Sequence, residues 1–432
     1  MGTERDQNER YRKYRERYLD KARETAARCF QRVEELPGSP EALAYFTKIL
    51  RTVFLDNEAV RYGDHETFIG TFCETMPSEI ISAAGARPVR LCSGSYAGFH
   101  IGDYATPRDV CPLVKAAAGN VMGGISEVHS ICEMYIVPIA CDCKKKLAGS
   151  LSDIKPVVPL YLPLNRTDDD GMDTFVKELK KTAGRISELT GAAVTRESLI
   201  RQIRIRADVQ KEILTFLKLR NEEGILIRGT HALIVMNAMA YDDVSEWGRH
   251  LRKLNEELAG KKERKEYLTK KKLPRILLAG SPVSFSALKI PLLIEEQGGI
   301  LAADETCPGD REAVDVVSVC EDTLDGCFRA LANRYVRPCP CPVFPDNGLR
   351  IRRLDKAVEE GHIDGIIYHV LRGCLVHDYE YEQIEQHFRA KNIPVMRLES
   401  DFSEEDTEQL RIRIEAFIEM IRFRNREEGT HV

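Results

Sequence analysis

Apolar positions fall into two rhythms along this chain. Between about residues 62 and 166, short apolar runs alternate with stretches of helical period. A helix starts at Met76-Pro-Ser-Glu-Ile, with Pro77 suited to its first turn, and stops at Ala83-Ala-Gly. Apolar runs at Pro88–Leu91, Tyr135–Ala140 and Val157–Leu162 predict strands, separated by a Cys-containing helix from Asp109 and a Lys-rich helix. Continuous apolar strands that alternate with helices predict a parallel sheet covered on both faces.

The helical period takes over from about 167 to 272. Within Arg201–Asn221 the positions Ile203, Ile205, Val209, Ile213, Leu214 and Leu217 form an apolar stripe, and the Lys- and Glu-rich run ending at Lys272 reads as a solvated helix and linker. Strand–helix alternation restarts at Leu273. Strands are predicted at Arg275–Ala279, Ile300–Ala303, Gly365–Tyr368 and Pro394–Leu398, with a Gly280-Ser-Pro turn after the first and a terminal helix over Glu404–Arg422. The expected fold is α/β, with two doubly wound parallel-sheet domains plus a helical domain. Its divisions are an N-terminal helical arm at 1–61, a first α/β domain at 62–166, a helical domain at 167–272, and a second α/β domain with a C-terminal helix at 273–432. Open sheets of this kind bind ligands at the carboxyl ends of their strands.

Composition narrows the chemistry. The chain has 432 residues and a formal net charge of −5, with acidic and basic residues interspersed, so no basic face for nucleic acid stands out. The most charged stretch, Arg5–Arg23, carries Tyr11, Tyr14, Tyr18 and Leu19 at helical spacing and reads as a solvated amphipathic arm, with docking or dimer bracing as the alternative. No apolar run reaches the length of a membrane span and the N-terminus is charged, so a cytoplasmic protein with no membrane partner is expected.

That compartment gives weight to the 13 cysteines. Reducing conditions disfavour structural disulfides, which leaves metal ligands, redox thiols or buried small hydrophobes. No Cys-x-x-Cys occurs, which excludes compact zinc and ferredoxin-type motifs, and the sequence has no P-loop, no Gly-x-Gly-x-x-Gly and no His-Glu-x-x-His. Any metal site must therefore be assembled by the fold. Cys92, Cys141, Cys307 and Cys374 each follow a predicted strand, and Cys111 opens a helix as Cys-Pro-Leu-Val-Lys. A helix N-terminus stabilises thiolate charge, and thiolates suit soft metals such as iron. Cys339 and Cys341 lie in Arg337-Pro-Cys-Pro-Cys-Pro, where prolines stiffen the loop; the alternative is a solvent-facing turn. Cys143 is expected to point away from Cys141, and Cys29, Cys132, Cys320 and Cys327 are expected to pack. His377 and His100 are candidate proton donors or polar loop residues, and His369 a strand cap.

The stretch Gly70-Thr-Phe-Cys-Glu-Thr-Met-Pro-Ser-Glu-Ile-Ile-Ser-Ala-Ala-Gly-Ala, then Cys111-Pro-Leu-Val-Lys, then Ala140-Cys-Asp-Cys-Lys-Lys-Lys, resembles the 2-hydroxyacyl-CoA dehydratase D-component superfamily. Glu305-Thr-Cys-Pro-Gly, Cys339-Pro-Cys, Asp364-Gly-Ile-Ile, Cys374 and Asn392-Ile-Pro-Val-Met-Arg-Leu-Glu-Ser-Asp-Phe extend the resemblance over about residues 60 to 425. The superfamily includes benzoyl-CoA reductase subunits and double-cubane cluster proteins, and the chain looks most like the last. The resemblance implies two Rossmann-like domains with an iron–sulfur cluster between them. Cys111, Cys141 and Cys374 match the shared ligands of a [4Fe–4S] cluster. Cys73, Cys307 and one of Cys339 and Cys341, with Cys92 in reserve, match a larger [8Fe–9S] double cubane. Ser281 stands where a Cys often occurs. The implied function is reduction of a small substrate with low-potential electrons from an ATP-hydrolysing iron–sulfur activator protein. The alternatives are a [4Fe–4S] dehydratase or benzoyl-CoA reductase subunit acting on an acyl-CoA, and a non-catalytic electron-transfer protein. A homodimer, or a heterodimer with a paralogous subunit, is also implied.

Overall fold

The structure is a computed structural model that describes residues 4–63, 66–269, 272–312 and 316–429, with side chains described between 13 and 426. Its frame is two four-stranded sheets, each wholly parallel. The first contains β1 (Phe68–Thr71), β2 (Arg87–Arg90), β3 (Cys132–Ile139) and β4 (Val157–Tyr161), in the order β2-β1-β3-β4. The second contains β5 (Arg275–Gly280), β6 (Ile300–Glu305), β7 (Gly365–Leu371) and β8 (Val395–Ser400), in the order β6-β5-β7-β8. In both, the third strand pairs with the first on the side away from the second. The crevice at the carboxyl ends of the first and third strands is thus the topological switch point.

Strand β1 was not predicted. It has four residues, all buried, so it carries neither alternation nor length, and Gly70 sits inside it. That glycine is required by close approach: a Cβ there would lie 2.4 Å from Leu91 and 2.9 Å from Tyr135 on the flanking segments. Elsewhere β6 runs on through Asp304 and Glu305, past the predicted end at Ala303, because buried arginines neutralise both carboxylates. The terminal helix is Thr407–Gly429, and Pro77 caps the helix Ser78–Ala83 from outside its first turn.

Four helices lie between the sheets in sequence: Asp169–Thr190, Arg196–Arg220, Gly229–Ala238 and Val244–Glu263. In the second of these the stripe is rotated from its prediction, with Arg206 and Gln210 buried and Ile205 and Leu214 half-buried. Arg206 pairs with Glu312 at 2.8 Å and Gln210 donates to the Glu312 carbonyl at 2.7 Å, so polar partners draw that face inward. Lys270 and Lys271 of the Lys-rich run lie outside the described residues. The helix Glu4–Glu35 is exposed from Lys13 through Arg17 and buries Ala26, Phe30 and Val33 further on; the Tyr11 side chain lies outside the described residues.

One hydrophobic core spans both sheets, joining Tyr135 and Val137 of β3 to Leu278 of β5 and Ile367 of β7. A second core gathers Ile69, Ile136 and Leu160 of the first sheet with Phe175, Ile203 and Leu331. The last of these belongs to the helix Leu324–Val336, so chain that follows β6 returns to cover the first sheet. This crossing carries the Cys339–Cys341 loop to the seam between the sheets. Among the described residues no helix is long and apolar enough to cross a membrane.

Candidate functional site

The two sheets place cysteines at matching strand ends. Cys73 follows β1, Cys92 follows β2 and Cys141 follows β3; Ser281 follows β5, Cys307 follows β6 and Cys374 follows β7. Three thiols occupy helix N-caps: Cys111 before Pro112–Met122, Cys141 before Asp142–Ser152 and Cys374 before Leu375–Arg389. The amides of Leu113 and Val114 lie near the Cys111 thiol, that of Lys144 near Cys141 and that of His377 near Cys374, and each favours a thiolate there, although none of the three thiols makes a side-chain capping hydrogen bond. A helix N-terminus turns partial positive charge toward its cap position, and here that position holds sulfur.

Packing brings these caps together across the seam. The helix Tyr96–Ala105 lies directly on Pro112–Met122 because glycines remove the side chains between them. A Cβ on Gly119 would sit 1.9 Å from the Gly98 carbonyl, and one on Gly102 would sit 2.1 Å from that of Lys115. The loop before Cys111 then rests on the turn before Cys374, where a Cβ on Gly373 would meet the Asp109 carbonyl at 2.4 Å. The Cys111 and Cys374 thiols lie beside each other. The neighbouring Cys111, together with the His377 amide and the Ser281 hydroxyl, holds Cys374 down at about 7 against the cost of burial, while Cys374 and burial push Cys111 well up. Cys141 is raised by burial, with the nearby Cys374 charge adding to the effect.

A second group of thiols lies beside the first. Cys73, Cys307, Cys339 and Cys341 line a cavity of about 50 Å³ together with Glu74, Thr75, Arg311, Glu312, Arg334 and Tyr335. Burial raises Cys307 well above its ordinary value, raises Cys339 likewise, and lifts Cys341 to about 11. Burial would raise Cys73 too, yet the Lys144 ammonium and the neighbouring Thr75 bring it net below the ordinary thiol value. Lys144 is the link between the two groups. Its amide lies near the Cys141 thiol, its Nζ donates to the Phe72 carbonyl, and its charge acts on Cys73, Cys92, Cys141, Cys341 and Cys374.

Buried ion pairs brace this second group. Arg311 binds both oxygens of Glu305, at 2.6 and 3.0 Å, and Arg350 reaches Glu305 at 2.8 Å while also pairing with Glu380. Arg90 bridges Glu74 at 2.6 Å and Glu312 at 3.0 Å. Among the described residues, no three His, Cys, Asp or Glu side chains form a group that could hold a metal ion. The donor set therefore does not describe a one-ion site. Seven soft thiols spread over two adjoining groups with an interleaved cation would suit a polynuclear iron–sulfur group.

The remaining sequence expectations divide. Cys29, Cys132 and Cys327 are buried as packing residues, and Cys143 is half-buried against the core. Cys320 is corrected: it is exposed, in the segment before Leu324–Val336, where acidic neighbours hold the chain at the surface. His100 is not in a loop; it lies on the helix Tyr96–Ala105 with its ring against Tyr96 and Phe99. His377 is buried in the first turn after Cys374, with Nδ1 unpartnered, and burial beside Arg350 and Arg311 keeps its ring uncharged. His369 lies within β7 and bonds the Ser400 hydroxyl at 2.8 Å. Sequence reasoning missed Lys144 and Arg311. Lys144 stands in a Lys-Lys-Lys run and Arg311 among acidic residues, and both read as surface charge.

Fold and site together define an α/β protein that gathers thiols from two doubly wound sheets at one seam. The chain belongs to the 2-hydroxyglutaryl-CoA dehydratase, D-component, family, whose model matches residues 73–421. It is 29% identical over 355 residues to the "Putative dehydratase subunit YjiM" of Escherichia coli (strain K12), covering 82% of this chain and 91% of that one. It is 24% identical over 356 residues to the (R)-phenyllactyl-CoA dehydratase beta subunit of Clostridium sporogenes, covering 82% and 91%. It is 22% identical over 365 residues to the (R)-2-hydroxyglutaryl-CoA dehydratase subunit beta of Acidaminococcus fermentans, covering 82% and 92%.

Proposed function

We propose that this chain is the iron–sulfur subunit of a reductive enzyme, with Cys111, Cys141 and Cys374 holding one cubane and Cys73, Cys307 and one of Cys339 and Cys341 holding a second, joined as an [8Fe–9S] group. The observation that carries this reading is the adjacency of two thiol groups that share the Lys144 cation. Such a group, when bound, supplies single electrons at low potential. The protein's part is to hold thiolates on helix N-caps, to offset their charge with Lys144 and Arg311, and to keep water out by burial. His377, with its unpartnered Nδ1 beside Cys374, is the candidate proton donor; His100, on its aromatic helix, is the lesser one. Electrons come in this reading from an ATP-hydrolysing iron–sulfur activator, and the chain pairs with a second copy or a paralogue. The compartment is the cytoplasm.

A second reading is favoured by the names of the relatives, which are dehydratase subunits. Here a single [4Fe–4S] cluster on Cys111, Cys141 and Cys374 serves an acyl-CoA substrate, and the second thiol group binds no iron. Iron and sulfide analysis of protein purified without oxygen separates the two. About eight irons per chain supports the double cubane and about four supports the dehydratase. An EPR signal indifferent to every small ligand would instead support a protein that only transfers electrons.

A further inference from the structure

The cavity lined by Cys73, Cys307, Cys339 and Cys341 contains one buried charged donor that the protein leaves unmatched. Arg311 is 6% exposed and lines this cavity, and its Nη1 has no hydrogen-bond partner. The rest of the guanidinium is fully engaged. Nε and Nη2 fork onto the Glu305 carboxylate at 2.6 and 3.0 Å, and Nη2 also donates to the Gly280 carbonyl at 3.0 Å. Glu305 is fixed in turn by Arg350 at 2.8 and 3.1 Å, and Arg350 by Glu380. The guanidinium therefore has no freedom to turn Nη1 toward another acceptor, and a buried charged donor without a partner is costly to maintain.

The other cavity charges do not answer it. Glu74 and Glu312 are the acidic groups in the lining, and Arg90 bridges them both while Arg206 takes the second Glu312 oxygen at 2.8 Å. Arg334 is turned to the Gln210 side chain and the Tyr335 ring. With Arg334 turned away, Arg311 Nη1 is the cationic donor that the cavity lining leaves for whatever lies between its thiols. The cavity between these thiols is compact, about 50 Å³.

We infer that Arg311 Nη1 forms an acceptor subsite for a compact anion in the second thiol pocket, and that Arg311 acts there as a positioning residue. The inference rests on the second pocket being part of the iron–sulfur site. The acceptor is either a sulfide of the bound group or a small anionic ligand that reaches it. Arginine is needed because its planar fork reaches Glu305 and the pocket at once, which an ammonium cannot do.

The test uses the full chain reconstituted without oxygen, as wild type, Arg311→Lys and Arg311→Met, read by iron and sulfide content and by EPR with and without bromide. Arg311→Lys keeps a cation beside Glu305, so it remains informative if Arg311→Met fails to fold. Loss of sulfide, or a changed EPR signal in Arg311→Lys without added bromide, identifies the acceptor as part of the bound group. Unchanged iron and sulfide with at least a tenfold weaker bromide response identifies an exogenous anion. Wild-type iron, sulfide, EPR and bromide response in Arg311→Lys overturn the inference. Cys73→Ser measured alongside reports on the pocket itself: full iron retention there defeats the larger-cluster reading, whereas the Arg311 arms still read the subsite.

Discussion

The two sheets share one strand order, yet their carboxyl edges are held by different means. At the first, shape does the work. Glycines let the helices Tyr96–Ala105 and Pro112–Met122 touch backbone to backbone, which sets where Cys111 projects. At the second, charge does it. Asp304 and Glu305 end β6 inside the protein, Arg220 binds Asp304 and Asp310 at 2.7 Å each, and Arg311 and Arg350 converge on Glu305. Close packing is insensitive to solvent, whereas buried ion pairs are intolerant of losing one partner. The comparison teaches that one topology seats thiols by either route, and that the electrostatic route leaves spare donors such as Arg311 Nη1 beside the pocket.

The largest expected effect separates the thiol groups. Cys374→Ser and Cys111→Ser should abolish iron binding, Cys73→Ser should remove about half of it, and Cys29→Ser should remove none. Metal analysis checks this, and equal losses at Cys374 and Cys73 would dissolve the distinction between the groups. Next, Arg350→Met strands the Glu380 carboxylate in the interior and leaves Glu305 to Arg311 alone, and breaking a buried pair costs about 3–5 kcal/mol. Urea unfolding of the apoprotein measures it, and a loss below about 1 kcal/mol would mean that charge is not what braces the second edge. Smallest, Gly119→Ala forces a Cβ against the Gly98 carbonyl and should cost about 1–3 kcal/mol by overpacking. Neutral behaviour in the same assay would show that the helix contact relaxes and that shape is not the brace at the first edge.

Much of the frame was legible in the sequence. Seven of the eight strands were predicted from apolar runs flanked by turn residues; the central strands β3, β5 and β7 are buried along nearly all their length and so are almost continuously apolar. β1 escaped because four residues interrupted by a glycine give no period. The helix Tyr96–Ala105 was read as a loop because Gly98 and Gly102 weaken its helical signal; both glycines are needed for contact with a partner that the local sequence does not reveal. The helical stripe was misplaced at Arg206 for a similar reason, since the partner that lets it be buried, Glu312, lies 106 residues away.

What the sequence determined by itself was the material of the site and its addresses. Strand ends carry Cys92, Cys141, Cys307 and Cys374, a Pro-stiffened loop carries Cys339 and Cys341, and Cys111 stands immediately before a helix, all of which are local properties of spacing and turn chemistry. Only the tertiary structure decided how these thiols divide. Cys111 from one sheet meets Cys374 from the other, while Cys73 joins Cys307, Cys339 and Cys341 because the helix Leu324–Val336 crosses back over the first sheet. It also decided that Lys144 and Arg311 turn inward as the charges that thiolates require. A run of lysines or a lone arginine carries no periodic mark of burial, since what makes burying a charge tolerable is an opposite charge brought near only by the fold.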